Sequence, residues 1–378
     1  MRIVHVSPYF PPNIGGVEKV VEWEAAFLAE QGHEVTVLTS FAAWPTGSVN
    51  TPDVEEVSSI AVRRLAFRRP MHVLGKPLLP TPANMARLVH LEDELRACRP
   101  EIIHVHHLVP SVVRCVVRYA RASSTRLFFQ PYFHPYDRPR LAFVRDRANL
   151  ATITLASARG TLIMINNSEA GQIETHFALH IPRQVTIPIP VAWARHPPAF
   201  ELHSSRPIVL CVARLDEARK GHAFLIAGLN LLKDLPWQLV LVGRGNGTVV
   251  RRELALAGLS DRAIFCGELP ENELISAYDN ADVFAMPSQY EGFGIPFVEA
   301  MRRGVPVVGT LVGAIPELVG DAGALVPYGD AAALARELRK LLTDQNHRYE
   351  LALRGYHRSL RYLPSAIGAQ LTNLYTKD

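Results

Sequence analysis

Two glutamates eight positions apart, Glu291 and Glu299, flank a glycine-rich turn in MPSQYEGFGIPFVEAMRRGVPVVGT, residues 286–310. The turn runs straight into a segment with the marks of a helix start. Pro296 suits a first helical turn, because the N–H it lacks has no partner there and its fixed φ already matches the helix. The N–H groups of Phe293, Gly294 and Ile295 then point out of the helix end. The partial positive charge of the aligned peptides makes that end a site for a phosphate or a sugar hydroxyl. Gly292 and Gly294 leave room for a ligand against the backbone. Glu299, about one turn in, can accept from vicinal hydroxyls such as a ribose diol, and Glu291, still on the loop, faces the other end of the same ligand. The neighbours of Glu299, Pro296 to Val298 and Ala300-Met301, read as buried, and a buried carboxylate needs a partner.

A second constellation has the opposite charge. The apolar run Ile208 to Ala213 leads into RLDEARKG, residues 214–221, in which Arg214 and Lys220 stand six apart between a strand end and a helix start. Two cations converging from such ends are what a diphosphate needs, and they stabilise it as it leaves. Arg219 beside Lys220 is the competing choice; Lys220 is preferred because it directly precedes Gly221. A third glycine loop, GRGNG at 243–247, follows the strand Leu239 to Val242. Its G-x-G-x-G spacing differs from the dinucleotide pattern G-x-G-x-x-G.

These groups need elements to hold them. With 378 residues, 48% hydrophobic and 20% charged and no low-complexity tract, the chain has room for two domains, each with its own core. Arg2 to Ser7 reads as a buried strand, and a helix begins at about Val17, with Val20, Val21, Ala25 and Leu28 at helical spacing. Gly32 stops it before a second strand, Glu34 to Thr39. Ligands of such βαβ units sit at the carboxyl ends of the strands, which is where Gly15 and Gly16 fall. PEIIHVHHLVP reads as a strand ending in His104, His106 and His107. With no acidic or cysteine partner nearby in sequence, the alternating histidines are taken as one strand face near a cleft rather than a metal pair. Residues 187–207 hold five prolines with little periodicity and read as an interdomain linker.

EGFGIPFVEA followed by GVPVV resembles the E-x7-E signature of the retaining glycosyltransferases of family 4, the glycosyl transferases group 1, on the GT-B fold. The likeness extends over nearly the whole chain, strongest from 205 to 330 and vaguest from 40 to 100. It implies an α/β architecture of two Rossmann-like doubly wound domains facing across a cleft: an acceptor-side domain at 1–190, a nucleotide-sugar domain at 205–357, and a last helix at 358–378 that returns to the first. It implies that Arg214 and Lys220 grip a donor diphosphate, Glu299 the ribose, and Glu291 with the amides near Phe293 and Gly294 the sugar. Gly15-Gly16 would line the cleft below the diphosphate, His134 in PYFHPYD would contact the sugar, and Gly267 to Leu269 would offer backbone groups to the base. Glu291, His134, Arg214 and Lys220 are the candidate catalytic residues. Asn167-Ser168-Glu169 is similar to a family element whose serine caps a helix. Relatives carry Asn-Gly in the linker where Ile189-Pro190 stands here.

The implied reaction moves a hexosyl unit from a UDP- or GDP-sugar to an acceptor hydroxyl with retention, in glycan, glycolipid or envelope polysaccharide synthesis. No D-x-D pair stands where a metal would be wanted, so neither metal nor cofactor is expected. The alternatives are a nucleotide-sugar epimerase on the same fold and a nicotinamide-dependent dehydrogenase. Up to Arg195 there are 21 basic and 16 acidic residues (+5), against 19 and 20 after it (−1). That asymmetry fits either a solvated surface or attraction to a lipid-linked or otherwise anionic acceptor and a membrane face. No nucleic acid partner is indicated. Four cysteines without a C-x-x-C pair, and no apolar run near 18 residues, give a cytoplasmic expectation, with peripheral contact at the inner membrane face left open.

Overall fold

The computed structural model describes residues 1–12, 15–40, 90–133, 142–194, 196, 198 and 206–377. Within 41–89 it describes the segments 42–43, 47–48, 54–57, 59–65, 67–68, 72–73, 76–77 and 87–88. The chain divides into two compact units, Met1–Pro188 with Ile367–Asp378, and Ile189–Ala366.

The first unit is built on an eight-stranded sheet. Its strands are β1 (Arg2–Val6), β2 (Glu34–Ser40), β3 (Val54–Val57), β4 (Ile60–Leu65), β5 (Ile102–His106), β6 (Arg126–Gln130), β7 (Thr161–Met164) and β8 (Gln184–Thr186), in the order β8-β7-β6-β5-β1-β2-β4-β3. All pairs are parallel except β3 with β4. The strands are apolar runs because helices cover both faces. Val21, Ala25 and Leu28 of helix α1 (Gly16–Glu30) pack with Ile3, Val35 and Ile102 on one face, where Ile367, Leu371 and Tyr375 join them. The opposite face is covered by Val112, Val113, Val116 and Val117 of α2 (Pro110–Arg121). Parallel register sets His5 directly beside His104.

The second unit has six parallel strands: β9 (Ile208–Val212), β10 (Gln238–Val242), β11 (Ala263–Gly267), β12 (Val283–Ala285), β13 (Val307–Thr310) and β14 (Ala324–Val326). Their order is β11-β10-β9-β12-β13-β14, the doubly wound arrangement. The winding reverses between β9 and β12, so the loops at their carboxyl ends diverge and leave a crevice, where ligands of such sheets bind. Among the described residues no helix is long and apolar enough to cross a membrane.

One local expectation changes. The helix of Asn167–Phe177 is capped by the Asn166 side chain, which accepts from the Glu169 N–H at 2.8 Å; Ser168 lies inside the helix, where its hydroxyl accepts from Gln172. The boundary between the two units falls within the proline-bearing linker, and the part described after Pro188 is held in place. Ile189, Val191 and Trp193 are buried, Trp193 Nε1 donates to Glu271, and Arg302 and Arg303 donate to the Trp193 and Ala194 carbonyls. Proline suppresses periodicity without preventing burial, which is why the sequence pattern missed this. Arg63 pairs with Glu94 at 2.7 Å, and buried Arg64 pairs with Glu55 and donates to the Pro11 carbonyl.

Candidate active site

The site is assembled from three loops at the carboxyl ends of β9, β10 and β12. After β9, residues 214–221 fold over the GRGNG loop that follows β10. The Leu215 N–H donates to the Arg244 carbonyl at 2.8 Å, and Asp216 accepts from the Asn246 and Gly247 N–H groups at 3.2 and 3.1 Å. Gly243 is required here: at φ 146° a Cβ would lie 1.9 Å from the Ala213 carbonyl oxygen. Gly243 therefore serves close backbone packing between β9 and β10, while a Cβ on Gly245 would press on the Asp216 side chain.

The same 214–221 loop is pressed against the loop that follows β12. A Cβ on Gly221, at φ 76°, would stand 2.0 Å from the Pro287 carbonyl oxygen, and the Gln289 N–H donates to the Arg219 carbonyl at 2.7 Å. That contact brings Lys220 to Glu291. Lys220 Nζ donates to Glu291 Oε1 at 2.7 Å, and the Ser288 hydroxyl donates to the same oxygen at 3.0 Å. Ser288 is in turn fixed by the Thr310 hydroxyl, which donates to its carbonyl at 2.5 Å. The Glu291 carbonyl accepts from the Ala314 N–H at 3.0 Å. Glu291 is thus buried and held from three directions. Arg219 turns instead to Glu217 at 2.8 Å, so of the two neighbouring cations it is Lys220 that meets Glu291. The Arg214 side chain is exposed, and among the described residues no hydrogen bond or ion pair engages it.

Helix α3 (Ile295–Arg302) begins at Gly294, whose φ of 98° only glycine adopts readily, with Pro296 in its first turn. A Cβ on Gly294 would fall 2.9 Å from Ile315 Cδ1, so packing on the core side also requires a glycine here. Phe293 is likewise buried, edge-on to Tyr362. Glu299 is half-buried, and its partner is Tyr278, whose hydroxyl donates to Oε2 at 2.9 Å. Burial, with the carboxylate beside it, pushes the Tyr278 phenol well above its usual range, so it remains a donor. At the β11 end the Gly267 carbonyl accepts from Gly243 at 2.7 Å, while Leu269 is half-buried.

The structure therefore brings Lys220 and Glu291 into contact and puts Arg214 and Gly292 to Ile295 on neighbouring loops of one unit. Gly15 and Gly16 belong to the other unit, where Gly15 is the extended residue before α1. His134 lies outside the described residues. Asp216, Tyr278, Ser288 and Thr310 were not singled out from sequence. Asp216, between the two cations, was open to that reading; the others lie in strand and helix contexts with no motif. His104 and His106 do not face an opening: both are fully buried beneath α1, and Glu24 of that helix is the acidic partner that sequence proximity did not offer.

The profile of Glycosyltransferase Family 4 matches residues 14–191, and that of Glycosyl transferases group 1 matches residues 206–344. The chain belongs to these glycosyltransferases. A phosphatidyl-myo-inositol mannosyltransferase of Mycolicibacterium smegmatis is 28% identical over 402 residues, covering 99% of this chain and 93% of that protein. A GDP-mannose-dependent alpha-(1-6)-phosphatidylinositol monomannoside mannosyltransferase of the same organism is 28% identical over 384 residues, covering 94% and 93%. Among solved structures, a sucrose-phosphate synthase from Thermosynechococcus elongatus superposes with a TM-score of 0.77 at 22% identity over 99% of this chain and 98% of that one. The fold of this glycosyltransferase is GT-B, with one doubly wound, mainly parallel sheet in each unit.

Proposed function

We propose that this glycosyltransferase transfers a hexosyl unit, with retention, from a nucleotide diphosphate sugar to an acceptor hydroxyl on a glycolipid or polysaccharide. The observation that carries the reading is the Lys220–Glu291 contact at the switch point of the second sheet, on a loop that also carries the exposed Arg214 side chain. Arg214 and Lys220 grip the diphosphate, the helix start at Gly294 and Ile295 faces it, and Glu299, oriented by Tyr278, accepts from the ribose. Glu291 positions the sugar. Gly267 and Leu269 lie on the base side. The donor is held mostly by the second unit, with Gly15-Gly16 of the first below the diphosphate and His134 on the sugar, and the acceptor is held by the first. The relatives' printed activities make GDP-mannose the first donor to test.

In the reaction the bond from the anomeric carbon to the diphosphate oxygen breaks as the acceptor oxygen bonds the same face of that carbon. The departing phosphate oxygen takes the acceptor proton, and the two cations offset the charge that develops on the diphosphate. No protein nucleophile is used, so Glu291 acts through position and charge.

The test is thermal stabilisation by GDP, UDP, ADP and their sugars with EDTA present, followed by NMR assignment of the product's anomeric configuration. Stabilisation by one diphosphate, lost in Arg214→Ala, with a product of the donor's configuration, is the expected result. An inverted product would remove the retaining mechanism, and stabilisation by NADH alone would remove the donor reading.

A further inference from the structure

The first unit contains a polar cluster that the transfer reaction does not use. His5 ends β1 one residue early, His104 and His106 lie on the same face of the adjacent β5, and Glu24 comes down on them from the middle of α1. All four are 0–3% exposed, inside a core that is otherwise Ile3, Val21, Ala25, Leu28 and their neighbours. Three ligand-type atoms there have no hydrogen-bond partner: Glu24 Oε2, His5 Nε2 and His104 Nε2. Leaving such groups unsatisfied in an apolar core is costly, and Glu24 Oε2 is the one that the three rings surround.

Glu24 Oε2 lies 3.3 Å from His104 Nδ1, 3.7 Å from His106 Nε2 and 3.9 Å from His5 Nδ1, and His5 Nδ1 lies 2.9 Å from His106 Nε2. One ligand atom from each of the four residues falls within 4.8 Å of all the others. Bonds of 2.0–2.1 Å to a tetrahedral zinc separate its ligands by about 3.3 Å, in the middle of the observed contacts. We propose that His5, Glu24, His104 and His106 form a closed, four-coordinate site for a divalent transition metal, Zn²⁺ first, which fastens α1 to β1 and β5. Three imidazoles and one carboxylate are a borderline donor set suited to zinc, and full burial leaves no open position, as in a structural rather than a catalytic centre. The remaining nitrogen of His106, Nδ1, stands 3.2 Å from the Tyr132 hydroxyl, the outer contact that fixes ring orientation at metal sites.

Burial holds His5 and His104 neutral, both down at about 3, which leaves a lone pair on each ring; burial also lifts Glu24 to about 7, toward its protonated form, so a cation bound there must displace that proton. One contact competes: the Tyr375 hydroxyl lies 2.8 Å from His104 Nδ1, on the lone pair the metal would take.

The test uses the full chain, unfolded with chelator and refolded with Zn²⁺, Co²⁺ or EDTA. Metal analysis after desalting should give about one zinc per chain, and the cobalt form should show the intense visible bands of four-coordinate Co²⁺. The zinc form should melt above the EDTA form. Glu24→Leu, which removes the buried carboxylate without leaving a gap, should lose the bands and retain less than about a tenth of the zinc while still folding. Tyr375→Phe, which frees His104 Nδ1, should bind at least as well as the unaltered chain. The proposal is overturned if the unaltered chain refolds without zinc and without cobalt bands, or if Glu24→Leu keeps the metal. Because no readout involves transfer, its failure is distinct from failure of the donor reading.

Discussion

Lys220 and Glu291 make one contact that ties the loop after β9 to the loop after β12, and its strength can be worked out. The atoms are 2.7 Å apart, with side-chain exposures of 22% for the lysine and 8% for the glutamate. Exposed pairs couple by about 0.2–1 kcal/mol, and breaking a buried pair by removing one partner costs about 3–5 kcal/mol. With one partner buried and the other partly wet, a coupling of about 1.5–3 kcal/mol is expected. Lys220→Met leaves the buried carboxylate with only the Ser288 hydroxyl on Oε1, so it should destabilise by about 2–3 kcal/mol. Glu291→Gln keeps an acceptor for both donors and should cost less, about 1–2 kcal/mol. The double variant should then be clearly more stable than the sum of the singles implies. Urea unfolding of all four proteins closes the cycle, provided the m-values agree. A coupling under about 0.5 kcal/mol would refute the claim that this pair fastens the two loops, since neighbours in real contact exceed that value. The same variants should lose the nucleotide diphosphate shift of the melting temperature when the lysine is removed and keep much of it when only Glu291 is changed.

Other perturbations test the frame around that pair. Gly221→Ala combines a left-handed φ with a Cβ only 2.0 Å from a backbone carbonyl, so it should cost at least about 2–3 kcal/mol. Gly32→Ala, at φ 80° with open space around it, carries the φ cost alone, about 1–2 kcal/mol. Equal melting temperatures for the two variants would remove the close-approach explanation. Asp216→Ala releases two N–H groups of the GRGNG loop at an exposed position and should cost about 1–2 kcal/mol. Faster hydrogen exchange at Asn246 and Gly247 is the measurement, and unchanged exchange would mean the loop is held without Asp216. His222 is depressed to about 4 by burial, with Lys220 adding to the effect and Glu217 opposing it. The folded state then binds this proton more weakly than the unfolded chain, whose histidine titrates near 6.5. Its stabilising share is therefore present above about pH 6.5 and is lost as the pH falls toward 4. His222→Gln should flatten the stability curve across that window by up to about 3 kcal/mol, and parallel curves for the two proteins would contradict it.

Much of this molecule is written in local pattern. The strand at Arg2–Val6, the helix that follows Gly15, the Ala331–Thr343 helix and the helix start at Gly294 all follow from periodicity and turn chemistry within a few residues. Helix ends were less legible, since both Asn166 and Ser168 are good caps and only the backbone conformation of Asn166 chooses between them.

By itself the sequence determined the two α/β units, the order of their elements, and the residue types at the loop after β9 and the turn before α3. Those features depend on hydrophobic period, proline and glycine, which act over one or two turns of chain. The tertiary structure alone decided which charges meet. Lys220 finds Glu291, 71 residues away, because β12 lies beside β9 at the point where the winding reverses. Glu24 finds His104 and His106 because α1 crosses the β1–β5 pair with that face inward. Such contacts are fixed by strand order and helix packing, and no window of sequence contains both partners.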